Sequence, residues 1–286
     1  NRYKTDQTNV EQTTVGGNIW HMKSNMPKWN SNYYNQTINV GINTEVAKNH
    51  VVGASLSYSK ETDWWGGTST NQMFHNTNLF EDLYSDIHSH ANYNQWIGNV
   101  FYDGTWAEKW KIAFNADYVN RKAKDNRINQ EAGSMTTQHE AKNENETSHN
   151  IYAGNVKVSY QANKALAFSV GTDASYVDEK KDYQSLENEE INTSSRLHAE
   201  ETKLAIFAGC DFSIAKLSAQ LGLRYETFDM QYRDAISQEP LVDKTQRHLY
   251  PYFSLSLPIK NVEMGLSMTT KVKRPSYYEL RNSEEY

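Results

Sequence analysis

From Tyr34 to Val46 the side chains alternate without a break: Tyr34, Gln36, Ile38, Val40, Ile42, Thr44 and Val46 fall on one side, and Asn35, Thr37, Asn39, Gly41, Asn43 and Glu45 on the other. Successive side chains of a strand point to opposite faces, so a run of this length predicts a β-strand with one greasy and one wet face. After Ala47-Lys48-Asn49-His50 a second run answers it, with Val52, Ala54, Leu56 and Tyr58 on the apolar side. The pair reads as a long β-hairpin.

The pattern recurs. Trp110, Ile112, Phe114, Ala116 and Tyr118 make one such face. Tyr152, Gly154, Val156, Val158 and Tyr160 turn at Ala162-Asn163-Lys164 into Leu166, Phe168, Val170, Thr172, Ala174 and Tyr176. Leu204, Ile206, Ala208, Cys210 and Phe212 turn at Ala215-Lys216 into Leu217, Ala219, Leu221, Leu223 and Tyr225. Leu249, Phe253, Leu255 and Leu257 turn at 258–261 into Val262, Met264, Leu266, Met268 and Val272. The run 92–104 is less regular, because Ile97 and Phe101 share it with Trp96, Val100 and Tyr102. About ten strands follow residue 33, and residues 1–22 add up to two more, giving roughly 10–12. Short turns near 48, 106, 162, 215 and 259 alternate with long polar stretches at 61–91, 122–148, 179–198 and 230–245. Short connections therefore gather at one end of the sheet and long ones at the other.

Composition narrows the class. No apolar run approaches the roughly 18 residues of a membrane-spanning helix, and mean hydropathy is −0.83. A single cysteine, Cys210, excludes an internal disulfide framework. A net charge of −6 argues against a nucleic-acid partner, which needs a basic face. The 12% aromatic content is too high for a disordered chain.

Two all-β readings remain: a soluble β-sandwich, with glycan binding through Trp64 and Trp65, and an antiparallel up-and-down transmembrane β-barrel. The strands run about 10–14 residues against about 5–6 in globular sheets, and a tilted strand needs about 9–11 to cross the hydrocarbon layer. Aromatics collect at strand ends: Tyr58, Tyr118, Tyr152, Tyr176 and Tyr225 toward the long connections, and Trp106, Trp110, Tyr160, Phe168 and Phe212 toward the short turns. Two such belts flank the apolar band of outer-membrane barrels, whose short turns are periplasmic and long loops extracellular. The greasy faces contain no Asp, Glu, Lys or Arg, and the opposite faces carry the charges. The reading is a barrel, with residues 1–286 as one barrel region in a bacterial outer membrane.

The C-terminal third carries a resemblance. Leu221-Gly222-Leu223-Arg224-Tyr225-Glu226, Tyr250-Pro251-Tyr252-Phe253-Ser254-Leu255-Ser256 and Lys271-Val272-Lys273-Arg274-Pro275-Ser276-Tyr277-Tyr278-Glu279-Leu280 resemble the barrel of TonB-dependent outer-membrane receptors of the Bacteroidetes type, the "outer membrane protein beta-barrel" family. Arg274 to Leu280 is the more specific part, and the strong match covers about 220–280. The resemblance implies a 22-stranded barrel around its own plug domain, of which this chain would be an interior fragment. It also implies a TonB-type energy-coupling partner and active uptake of a scarce solute of the siderophore, glycan, cobalamin or peptide class. A self-contained pore or adhesin of about twelve strands is the alternative. No plug-like segment is recognisable in the sequence.

On the barrel reading Asp117, Asp173, Asp211, Arg224, Glu226, Glu263 and Lys271 line the lumen. The stretch after Tyr58 holds Trp64, Trp65, Phe74 and Phe80, which either contact a ligand or form a mini-core that orders a long loop. Asp86, His88 and His90, with His75, are weak candidates for a metal site, since His-x-His on a strand puts both rings on one face. The acidic stretch 178–190 lacks calcium-loop spacing. No Gly-x-Ser-x-Gly, His-Glu-x-x-His or phosphate-loop motif appears, so neither an enzyme nor a cofactor is expected.

Overall fold

In the computed structural model, which describes residues 7–15, 18–135, 137–259 and 262–270, every strand belongs to one antiparallel sheet. The strands are β1 (Gln7–Val15), β2 (Asn18–Ala47), β3 (His50–His75), β4 (Asn78–Trp106), β5 (Trp110–Gly133), β6 (His139–Asn163), β7 (Leu166–Glu187), β8 (Glu190–Ile214), β9 (Leu217–Asp234), β10 (Pro240–Ile259) and β11 (Val262–Thr269). Each pairs with its neighbours in chain order, and among the described residues β1 and β11 do not meet. A sandwich needs two packed layers; a single sheet of eleven strands sets that reading aside.

The long connections are built as β-structure. β3 and β4 run on beyond the apolar zone to a tight turn at Asn76-Thr77, and β7 and β8 do so to Asn188-Glu189. Outside the oil both faces are wet, so alternation lapses while main-chain pairing continues, and the polar stretches give no strand signal. Asparagine sits where the turns need a left-handed backbone, with φ of 63° at Asn49, 57° at Asn76 and 50° at Asn188. Two of these amides also tie adjacent hairpins: Asn76 Oδ1 accepts from Ile19 N at 3.0 Å, and Asn188 Oδ1 from Glu140 N at 2.9 Å.

Directly paired residues point to the same side, so the register sorts the faces. On the outward side Trp106, Trp110, Tyr160, Phe168, Cys210, Leu221 and Phe253 are in line. Trp110 and Tyr160 lie with ring centroids 4.5 Å apart. Toward the long hairpins Tyr118, Tyr152 and Tyr176 form a second line, the first two at 4.9 Å, and Tyr58 packs on Trp96 at 4.5 Å. Trp110 to Tyr118 is eight residues and Trp106 to Trp96 is ten, which with strand tilt covers about 20–25 Å, close to the apolar band of an outer-membrane barrel. Residues between these belts are the membrane-spanning segments.

The apolar band runs obliquely across the sheet. Its upper edge is the Ile38–Tyr58–Trp96 line on β2–β4 but the Tyr225–Leu249 line on β9 and β10. The latter traces through Ile206, Thr172, Val156, Phe114, Tyr102 and Val52 to Thr44, six residues beyond Ile38. The short turns drift in the same sense. A stagger of about one residue per strand, about 3.3 Å along against 4.8 Å across, tilts the strands by about 30–35°. This drift puts Tyr225 in the upper belt, although it is not in register with Tyr118.

Candidate ligand-facing site

The inward face begins with the charged positions singled out in the sequence. Asp117, Asp173, Asp211, Arg224, Glu226 and Glu263 all fall on it by register; Lys271 and the Arg274–Leu280 stretch lie outside the described residues. Two clusters form at membrane depth. Asn99 Nδ2 donates to Asn115 Oδ1 at 2.8 Å and to Asp117 Oδ1 at 2.6 Å, and Asn115 Nδ2 donates to Asp117 Oδ2 at 2.5 Å. On the far side of the sheet Arg224 forks between Asp173 and Glu226, reaching Glu226 Oε2 at 3.0 Å. Glu226 is buried and Asp173 half-buried, so the guanidinium holds two carboxylates where water is scarce. Asp211 and Glu263 are exposed, and Glu263 accepts a hydrogen bond from the Ser256 hydroxyl.

Above these charges the inward face turns apolar. Ile97, Val119, Ile151 and Val177 are paired in sequence across β4–β7. Lower down, three aromatics lie flat over glycines of the neighbouring strand: Phe101 over Gly53, Phe207 over Gly171 and Tyr252 over Gly222. A β-carbon at any of these glycines would overlap the ring. The bare glycine lets the aromatic lie along the wall, which keeps it from projecting into the lumen.

Higher still, outside the membrane, the inward face becomes polar again. Arg121 lies 5.2 Å from the Tyr93 ring centroid and Arg127 5.0 Å from that of Trp65, both cation–π distances. Glu179 is 4% exposed, with His149 Nδ1 at 3.4 Å, and Tyr232 donates to Glu201 at 2.7 Å. Burial pushes the Glu179 carboxyl up to about 7, against the pull of Lys181 and with a smaller push from Glu201. Burial, helped by Arg121, pushes His149 down. Burial and the bond to Glu201 raise Tyr232.

Because the folded carboxyl of Glu179 titrates above its unfolded value, its stabilising contribution is complete below about pH 4.5 and is lost as pH rises through about 7. The wall is therefore expected to lose about 2 kcal/mol of stability between pH 5 and pH 8 through this group. Glu179→Gln should flatten that dependence. Denaturant midpoints of the detergent-folded protein at the two pH values check it; an unchanged slope in the variant contradicts the assignment.

The aromatics after Tyr58 are distributed among different surfaces. Trp64 faces outward, 6.1 Å from the His88 ring, and Trp65 faces inward against Arg127. Phe80 meets Trp20 edge-on at 5.2 Å near the hairpin tip, and Phe74 pairs with Leu79 beside it. Asp86, His88 and His90 share the outward face; Asp86 and His88 meet at 3.2 Å, His90 contacts Asn92, and His75 stacks on Trp20 at 4.7 Å. Among the described residues no group of three potential metal donors comes together.

The alternation of greasy and wet faces ends at the upper belt, so Arg121, Tyr93, His149 and Tyr232 are not singled out by the sequence, and Glu179 enters only as part of the acidic stretch 178–190. Continuing the two-residue step from Asp117 through Val119 reaches Arg121, and from Asp173 through Val177 reaches Glu179. That parity was the available signal.

Comparison with solved structures returns outer-membrane proteins. The unliganded ferric citrate transporter FecA matches at 10% identity and a TM-score of 0.47, over 88% of this chain and 42% of that one. The ferric preacinetobactin receptor BauA of Acinetobacter baumannii matches at 8% and 0.39, over 91% and 46%. The translocator domain of the autotransporter NalP of Neisseria meningitidis matches at 12% and 0.33, over 93% and 80%. The chain thus spans less than half the length of FecA and BauA. The search of curated proteins gave no match. Residues 107–286, more than half of the sequence and all of the wall from the β4–β5 turn onward, match the model of the outer membrane protein beta-barrel family. With its two aromatic belts, uncharged outer band and charged inner face, the chain belongs to that family and to the bacterial outer membrane.

Proposed function

We propose that this wall is part of a receptor that takes up a scarce solute across the outer membrane, powered through a TonB-type coupling protein. The observation that carries the reading is the inward face itself. A water-filled pore has little use for the line of Ile97, Val119, Ile151 and Val177 or for three aromatics pressed flat onto the wall. Such a surface suits a folded plug seated in the lumen, with Asp117, Asp173, Asp211, Arg224, Glu226 and Glu263 meeting plug, water or passing solute. The resemblance in the C-terminal third points to the same class. In this reading the polar inward surface above the membrane, with Trp65, Tyr93, Arg121 and Arg127, receives the solute.

Two measurements test it together. Liposomes carrying the whole receptor to which this wall is proposed to belong should not swell in arabinose, because a plugged receptor is closed. Cells expressing it should take up at least one of radio-iron ferrichrome, cobalamin, a maltodextrin or a labelled tetrapeptide, and collapsing the inner-membrane proton gradient should stop that uptake. Free swelling, or uptake indifferent to the gradient, would instead support a passive pore of about twelve strands.

A further inference from the structure

The outward face of β2–β7 carries two grooves, one above the other along the strands. The lower, about 670 Å³, lies within the apolar band and is walled by Val40, Ile42, Leu56, Val100, Tyr118 and Tyr152, with Gly98 leaving its floor open. No atom lies within 4 Å of where a β-carbon at Gly98 would stand. The upper, about 530 Å³, opens above the tyrosine belt between Asn94, Lys122, Ser148 and Lys180, with Lys124, Glu146 and Asp182 along its upper rim. Asn94 is four residues above Gly98 on the same strand, so the grooves follow one another from headgroup level into the oil.

The register gives the upper groove its chemistry. Lys60, Asn94, Lys122, Ser148 and Lys180 are successive partners across β3–β7, all on the outward face. Cation and neutral donor alternate, which spaces the ammonium groups two strands, or about 10 Å, apart. One line higher the charges satisfy each other: Lys124 pairs with Glu146, and Arg196 with Asp182 at 2.9 Å. Among the described residues Lys60, Lys122 and Lys180 are exposed and form no ion pair. Three uncompensated cations at the interface, directly over an apolar trough, complement a molecule with several phosphates at one end and acyl chains at the other.

We propose that this face docks an anionic, multi-acyl glycolipid of the outer leaflet. Its phosphates rest on Lys60, Lys122 and Lys180, Asn94 and Ser148 donate to the oxygens between them, and an acyl chain lies in the trough over Gly98. The long lysine stems let the ammonium groups reach down to phosphate depth while their methylenes cover the wall. The inference depends on the membrane orientation and not on what the lumen carries, so its failure leaves the uptake reading untouched.

The test uses the detergent-purified protein and native mass spectrometry with three lipids: lipid A bearing two phosphates, its monophosphorylated form, and phosphatidylglycerol. The protein should retain lipid A in preference to the other two. The triple variant Lys60→Gln, Lys122→Gln, Lys180→Gln should bind it about a hundredfold more weakly, and Lys122→Gln alone about fivefold. Gly98→Leu, whose β-carbon meets no atom within 4 Å and whose branched end occupies the trough, should weaken fully acylated lipid A severalfold and leave a deacylated diphosphorylated headgroup unaffected. Exchanging Lys48, Lys109 and Lys164 at the opposite end for glutamine should change nothing. Heat-modifiable gel mobility verifies folding; if the triple variant fails that check, the single variants decide. Equal binding of lipid A by wild type and by the folded lysine variants would overturn the proposal. So would no preference over phosphatidylglycerol, or a second copy of the chain occupying the trough and excluding lipid.

Discussion

Val170→Arg is expected to prevent stable insertion of the wall. Val170 is paired with Val158 and Ala208 inside the apolar band, two residues above Phe168 of the lower aromatic line, and its side chain is 57% exposed on the outward face. A cation there meets hydrocarbon, at a cost that reaches about 2–4 kcal/mol at the bilayer centre and falls toward the interfaces. That is a large share of the stability of a typical domain. The neighbouring substitution Ser169→Arg places the same charge on the inward face and should be tolerated. Urea titration in lipid vesicles, read by heat-modifiable mobility, separates the two. If both variants fold equally well, the assignment of the faces is wrong. The comparison is sharp because adjacent residues of one strand differ only in the direction they point.

The second large effect concerns Arg224. Replacing it with methionine removes the guanidinium that bridges Asp173 and Glu226, leaving one half-buried and one buried carboxylate on the wall without that cation. Breaking a buried pair from one side costs about 3–5 kcal/mol, most of it the uncompensated charge left behind. Arg224→Met should therefore lower the denaturant midpoint substantially. Arg224→Met combined with Glu226→Gln should recover a good part, because the remaining charge at Asp173 is the better solvated one. Arg224→Lys should fall between, keeping the charge but losing the planar fork. If the double variant is as unstable as the single one, the loss comes from packing of the arginine stem and not from charge.

The sequence made the membrane-spanning half of the fold legible for a specific reason. Oil on one side and polar surroundings on the other force a period of two, and every apolar face read from Tyr34 to Met268 occupies the outward side. Above the belts that constraint disappears. Residues such as Asn92, Lys124, Glu146 and Asp182 are paired across strands with no apolar partner face, so nothing in their order announces a strand. The first strand was hard to read because Arg2 to Gln12 is nearly all polar, yet Gln7–Val15 pairs along its length with β2. Ile97 and Phe101 looked like blemishes in the alternation of 92–104. They belong to the inward face, where Ile97 joins an apolar line and Phe101 covers Gly53. The lumen charges were found because charge on a face opposite grease is conspicuous. Glu179 and His149 were not, since they stand among many other charged residues and only pairing distinguishes them.

The oblique run of the apolar band also fixes how wide a tube this wall can bound. Strands about 4.8 Å apart and leaning by about 30–35° each take up nearly 6 Å of girth, so eleven of them cover about 60 Å of circumference. Rolled onto itself, that sheet makes a cylinder about 20 Å across between backbones, a bore that opposing side chains would largely fill. Twice the girth gives about 40 Å, space enough for a small folded body to sit inside and move. The lean of the strands thus ties the calibre of the conduit to the number of strands that complete it.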